Sequence, residues 1–101
     1  MSNSIHKTAI VSADARLGND VSIGPYAVIE GPVTIGDNSV VGSHCVIEGN
    51  TSLGRACQLF TGAVIGSRPQ DKKHRKEDRV YLSIGDYNIF REYVTVNPGT
   101  I

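Results

Sequence analysis

From Ile5 onward every sixth residue is Ile, Val or Leu, eleven times in succession: Ile5, Val11, Leu17, Ile23, Ile29, Ile35, Val41, Ile47, Leu53, Leu59 and Ile65. The beat lapses and returns at Ile84, Phe90 and Val96. A period of six is neither helical nor the plain alternation of a strand. It marks a repeat architecture in which each unit is one small structural element. With the aliphatic residue as position one, position five is Ala9, Ala15, Val21, Ala27, Val33, Ser39, Cys45, Thr51, Cys57 and Ala63, all small or β-branched. Position two is glycine at Gly18, Gly24, Gly36, Gly42, Gly54, Gly66 and Gly85. Each hexapeptide therefore reads as a short strand and a turn. The aliphatic residue points inward, the small residue fits an interior corner, and glycine or a polar residue takes the bend.

One such unit cannot bury its apolar face alone. Three units closing a triangular coil can, and successive coils then stack at the parallel-strand spacing of about 4.8 Å. The spacing predicts three interior stacks: Ile5, Ile23, Val41 and Leu59; Val11, Ile29, Ile47 and Ile65; Leu17, Ile35 and Leu53. The fold class expected is all-β, a parallel β-helix with a solid aliphatic core. The period does not fix its hand, and the general rule for parallel crossovers favours the right.

A chain of 101 residues forms one domain at most. Its net charge of zero gives no global bias toward nucleic acid. No apolar run is long enough to span a membrane, and the first residues have no hydrophobic signal core, so a cytoplasmic location is expected. Cys45 and Cys57 fall on the small interior position and read as buried small hydrophobes, not as a disulfide or a zinc site. No phosphate loop, dinucleotide fingerprint or metalloprotease motif is present, and no cofactor is expected. His6 and His44 fall on outward repeat positions and His74 on a charged segment, so no metal centre is expected from them.

The gap from Ile65 to Ile84 is nineteen residues, one more than a coil of eighteen. Within it, residues 67–79 contain no aliphatic side chain and read as a loop leaving the coil. Six of the chain's ten Lys and Arg residues lie here: Arg68, Lys72, Lys73, Arg75, Lys76 and Arg79. Set against Asp71, Glu77 and Asp78, they leave a local balance of +3. A long loop in so regular a scaffold points to function, and its charge suits a phosphorylated ligand or an acidic partner.

Several segments together resemble one family. They are Ile5-His6-Lys7-Thr8-Ala9-Ile10-Val11; Ile65-Gly66 followed by Pro69-Gln70-Asp71-Lys72-Lys73; Ile84-Gly85-Asp86; Arg91-Glu92; and Val94-Thr95-Val96-Asn97-Pro98-Gly99-Thr100. The hexapeptides are similar to those of left-handed β-helix acyltransferases in general. The Gln-Asp-x-Lys loop with the Arg-Glu and Gly-Thr segments resembles the acyl-acyl-carrier-protein–UDP-N-acetylglucosamine O-acyltransferases, which begin lipid A synthesis. Lys72 and His74 stand where that family carries an apolar residue and a tyrosine, and Pro98 where arginine is commoner.

The resemblance implies the left hand. It also implies transfer of a (3R)-3-hydroxyacyl group from acyl carrier protein to the 3-hydroxyl of UDP-N-acetylglucosamine, and assembly as a homotrimer. Gln70, Asp71 and Lys73 would bind substrate, the first two holding hydroxyls and the lysine meeting phosphate charge. The family's general-base histidine is expected downstream of Ile101, so no catalytic residue is assigned within residues 1–101. The sequence is read as a single β-helical domain stopping before the remaining coils and any C-terminal helical domain. Two alternatives stay open: another hexapeptide acyl- or acetyltransferase acting on a nucleotide sugar, and a non-catalytic β-helix remnant.

Overall fold

The computed structural model describes residues 3–66 and 81–96. Fourteen short strands, among the described residues, form three parallel sheets. The first sheet stacks β1 (Ser4–Ile5), β4 (Ser22–Ile23), β7 (Val40–Val41), β10 (Gln58–Leu59) and β13 (Ile89–Phe90). The second stacks β2 (Ile10–Val11), β5 (Val28–Glu30), β8 (Val46–Glu48), β11 (Val64–Ile65) and β14 (Thr95–Val96). The third stacks β3 (Arg16–Leu17), β6 (Thr34–Ile35), β9 (Asn50–Leu53) and β12 (Tyr81–Ile84). The chain visits the sheets in turn, so each coil is a triangle and each sheet a wall of the prism.

The register places like on like. Ile5 lies against Ile23, Ile29 against Ile47, and Ile35 against Leu53, as the eighteen-residue stacks require. Ile23, Ile29, Ile35, Val41, Ile47, Leu53, Leu59 and Ile65 are all buried, and so is every position-five residue from Val21 to Ala63. Strand alternation sends both sets inward and leaves position six outside. Ile5, Val11 and Leu17 in the first coil, and Ile84, Phe90 and Val96 in the last described one, are less buried. Each has a described coil on one side only.

The two polar residues of the core are paired. Ser39 Oγ donates to the Gly54 carbonyl at 3.0 Å and accepts the Cys57 N–H at 3.1 Å. Thr51 Oγ1 donates to the Glu48 carbonyl at 2.7 Å. Cys45 and Cys57 are buried free thiols, as their repeat position predicts, and donate to the carbonyls of Phe60 and Gly85.

The bends are made differently from the sequence expectation. Left-handed backbone falls on position four, at Asp20, Tyr26, Asn38, His44, Ala56, Gly62, Tyr87 and Tyr93. These residues turn the corners between the third and first sheets and between the first and second. At the remaining corner the positive φ sits one residue earlier, on Gly31 and Gly49. Most position-two glycines answer another demand, the approach of the next coil. A Cβ on Gly36 would lie 2.6 Å from the Gly54 carbonyl carbon, closer than real contacts come.

The break in the beat also needs correcting. Paired residues in neighbouring coils are 18 apart elsewhere but 31 apart across it, as for Asn19 with Asp37 and Arg55 with Asp86. Leu53 pairs with Ile84, Leu59 with Phe90 and Ile65 with Val96. The interruption is therefore thirteen residues added to an ordinary hexapeptide step, not a coil plus one. The reason is topological: Ile84 belongs above Leu53 in the third stack, the next wall after Ile65.

Candidate functional site

The insertion springs from one corner of the prism, between the second and third walls. The last described residue before it is Gly66, which is buried with φ +83° and donates its N–H to the Val96 carbonyl at 2.7 Å. A side chain there would collide with Thr51 Oγ1 and the Glu48 carbonyl, so only glycine fits this exit. The chain re-enters at Tyr81, whose strand β12 pairs with β9 over four residues from Tyr81 against Asn50 to Ile84 against Leu53. That is the longest strand pair among those described, and it firmly anchors the far side of the insertion.

Two surface grooves flank this root. One of about 420 Å³ is lined by Glu30, Gly31, Pro32, Glu48, Gly49 and Asn50. The other, about 260 Å³, runs over the third wall along Pro32, Thr34, Asn50, Ser52, Tyr81 and Ser83. Glu30 and Glu48 are register partners one coil apart. Like charges so placed repel, and they stand on the corner from which residues 67–79, with their surplus of cations, depart.

The sequence-predicted substrate residues Gln70, Asp71 and Lys73 lie outside the described residues, as do His74 and the segment from Asn97 onward. His6 and His44 are exposed, as expected of outward repeat positions. His6 Nδ1 is 2.9 Å from Thr8 Oγ1, and the His44 ring lies 5.2 Å from that of Tyr26. The two histidines are two coils apart and do not converge. Arg91 and Glu92, part of the sequence resemblance, form an ion pair at 3.2 Å, with the guanidinium 4.4 Å above the Phe60 ring. Burial pushes the Cys45 thiol up, against a smaller opposite pull from backbone groups at Ala63, Gly42 and Gly62. An inert core thiol results. Among the described residues no cluster of His, Cys, Asp or Glu could hold a metal ion. Among the described residues no helix is long and apolar enough to cross a membrane.

Sequence reasoning missed the acidic corner. Its signal was present as Glu30-Gly31-Pro32 and Glu48-Gly49-Asn50, two Glu-Gly pairs one coil apart on the corner that later carries the insertion.

Residues 3–49 match the family model described as bacterial transferase hexapeptide, six repeats. The chain is 62% identical over 96 residues to an acyl-acyl-carrier-protein–UDP-N-acetylglucosamine O-acyltransferase of Chlorobaculum tepidum, covering 95% of this chain and 36% of that protein. The protein of the same name from Aliarcobacter butzleri is 62% identical over 99 residues, covering 98% of this chain and 38% of its own length. The solved UDP-N-acetylglucosamine O-acyltransferase of Moraxella catarrhalis superposes with a TM-score of 0.88 at 39% identity, over 96% of this chain and 37% of that one. The β-helix is thus the left-handed one of these enzymes, against the general rule for parallel crossovers. The chain spans a little over a third of the length of the relatives it matches. Over the part it spans, it is similar in sequence and fold to the UDP-N-acetylglucosamine O-acyltransferases and carries their hexapeptide repeat.

Proposed function

We propose that this chain forms part of an enzyme that transfers a (3R)-3-hydroxyacyl group from acyl carrier protein to the 3-hydroxyl of UDP-N-acetylglucosamine, at the first step of lipid A synthesis. The observation that carries the reading is the 62% identity running through 96 residues, across both the scaffold and the insertion. In the reaction the sugar 3-oxygen attacks the thioester carbonyl. The new C–O ester bond forms, the C–S bond breaks, and the hydroxyl proton passes by way of a general base to the departing carrier thiolate.

Gln70 and Asp71 are assigned to hold hydroxyls of the acyl chain or sugar, and Lys73 to meet the nucleotide's phosphate charge. The base is a histidine expected downstream of Ile101, since imidazole titrates near operating pH. His6 and His44, two coils apart at the surface, are not given that part. No cofactor enters the scheme, because the thioester itself activates the acyl group. The reading carries with it a homotrimer and a cytoplasmic location. The domain reading, one β-helical unit with an insertion at residues 67–79, is proposed on the same basis.

The test is transfer of labelled 3-hydroxyacyl from its carrier to UDP-N-acetylglucosamine, measured on the longest gene product containing this chain. Asp71→Ala and Lys73→Ala are expected to lower kcat/KM by about tenfold or more each, the loss of one charged contact. Unchanged kinetics in both would remove the insertion from the site. No transfer by the parent protein would remove the reading.

A further inference from the structure

The corner between the second and third walls repeats every eighteen residues, and it departs from its own pattern just below the insertion. In the lower coil Glu30, Gly31 and Val33 make the bend, with the Val33 N–H donating to the Gly31 carbonyl at 2.8 Å. One coil up Glu48, Gly49 and Thr51 make it the same way, the Thr51 N–H donating to the Gly49 carbonyl at 2.9 Å. Val33 and Thr51 fill equivalent core slots, 0% and 2% exposed. Valine and threonine have nearly the same shape, so packing alone asks for no hydroxyl there. A hydroxyl in an apolar core is costly unless it is bonded. Thr51 Oγ1 donates to the Glu48 carbonyl at 2.7 Å.

That carbonyl is where the repeat stops. In the coil below, the Glu30 carbonyl accepts from the next coil, through the Gly49 N–H at 3.1 Å. Above Glu48 the place of Gly49 falls to Ser67, the first residue of the insertion. Gly66 follows Ile65 as Glu48 follows Ile47, but it takes left-handed backbone at φ +83°. It lies so close over Thr51 Oγ1 and the Glu48 carbonyl that no side chain fits between. The re-entering strand β12 lands on the same residue, with Leu82 paired to Thr51. Two departures from the corner pattern, glycine for glutamate at 66 and threonine for valine at 51, thus meet at one carbonyl. Both feet of the insertion rest on Thr51.

We propose that Thr51 is a positioning residue, whose hydroxyl holds the Glu48 carbonyl at the step where the corner pattern ends and so fixes the point at which the chain leaves the prism at Gly66. Without that donor the Glu48–Gly49 peptide turns toward another partner, and the surface beneath Gly66 moves with it. The catalytic consequence rests on the acyltransferase reading above. Thr51 is buried and touches no substrate; it acts through Gly66 and Leu82, between which the chain carries Gln70, Asp71 and Lys73. A displacement of about 1 Å far from the chemistry is enough to cost roughly a hundredfold in rate.

The test separates shape from hydroxyl, on the longest gene product containing this chain. Thr51→Val keeps the shape and removes the donor, whereas Thr51→Ser keeps the donor and removes a methyl. Hydrogen exchange of the Gly66 amide, which donates to the Val96 carbonyl, reads the exit directly and needs no substrate. It is expected to quicken by roughly tenfold or more in Thr51→Val and to stay near the parent's in Thr51→Ser. The Gly42 amide, bonded to the Leu59 carbonyl on the first wall, should keep its protection in both. Acyl transfer should follow the hydroxyl and not the melt. A fall in kcat/KM of roughly ten- to a hundredfold is expected in Thr51→Val and none in Thr51→Ser, although the lost methyl makes the latter melt lower. Parental exchange at Gly66 in Thr51→Val, parental kinetics in that variant, or kinetics that track the melt in both variants would each overturn the proposal. So would a Thr51→Val chain that does not fold, since valine packs in the equivalent slot one coil below and the role assigned is local to the exit. A parent that transfers no acyl group removes the function proposed above, and exchange at Gly66 then still decides whether Thr51 holds the exit.

Discussion

Ile47 and Ile5 carry the same side chain on the same repeat position, yet the structure gives them different weight. Ile47 is fully buried between Ile29 and Ile65, whereas Ile5 is 46% exposed in the first coil. Truncation to alanine removes three carbons. At about 0.8 kcal/mol per buried methylene, Ile47→Ala loses about 2.4 kcal/mol of transfer free energy. A cavity is added because the coils above and below are tied by their ladders and cannot collapse, giving about 3–4 kcal/mol in all. Ile5→Ala loses about half the transfer part and opens to solvent instead of enclosing a void, so about 1 kcal/mol is expected. For a domain of this size the difference is a drop in Tm of at least ~12 °C against ~5 °C. Thermal and urea melts followed by circular dichroism measure both, and the far-UV spectrum of each variant checks that the coil is retained. Equal losses at the two sites would refute the claim that stacking on both sides decides the energetics of this solenoid.

Other positions give sharper, smaller tests. Ser39→Ala leaves the Cys57 N–H and the Gly54 carbonyl without their shared partner inside the core, and a loss of about 1–3 kcal/mol in urea unfolding is expected. Gly36→Ala must push the Gly54 backbone aside, costing about 1–3 kcal/mol in the same measurement. Cys45 should resist a thiol reagent until the protein unfolds. Its raised folded pKa means that the folded state holds the proton longer than the unfolded one, so its contribution to stability is complete below the ordinary thiol range near about 8.5 and is lost as pH rises above it. A melt that gains stability between neutral and strongly alkaline pH would contradict that sign.

The core was legible because the period and the residue types agree. Position one and position five both point inward, and nothing in the prism offers an aliphatic residue at those places any other environment. The thiols were readable for the same reason. The corners were not. Tyr26, His44 and Tyr93 adopt left-handed backbone that their composition argues against, because the triangle requires a reversal at position four whichever residue stands there. Glycine at position two looked like the bend, but its role is contact between coils, which depends on a neighbour eighteen residues away. The acidic corner escaped notice because Glu30 and Glu48 become neighbours only after stacking. The proposed substrate residues were read from a family pattern alone, and no repeat position assigns Gln70, Asp71 or Lys73 a role.

The register shift makes the insertion separable from the scaffold. Thirteen extra residues lie between Gly66 and Tyr81, so excising residues 67–79 returns the chain to its eighteen-residue spacing and sets Tyr81 directly after Gly66 and Val80. Val80 then takes the place that Gly31 and Gly49 hold in the lower coils, at φ +86° and +72°. A β-branched residue is strained there by about 1–2 kcal/mol. The excision should therefore be made with Val80→Gly. Shortening the connection relieves chain entropy by up to about 2 kcal/mol, so the variant should melt no lower than the parent. It should also lose the proposed acyl transfer entirely, since Gln70, Asp71 and Lys73 go with it. An excised chain that unfolds would mean that the insertion helps to hold the coils above Ile65 in register. One that folds and still transfers acyl groups would place the chemistry elsewhere on the prism.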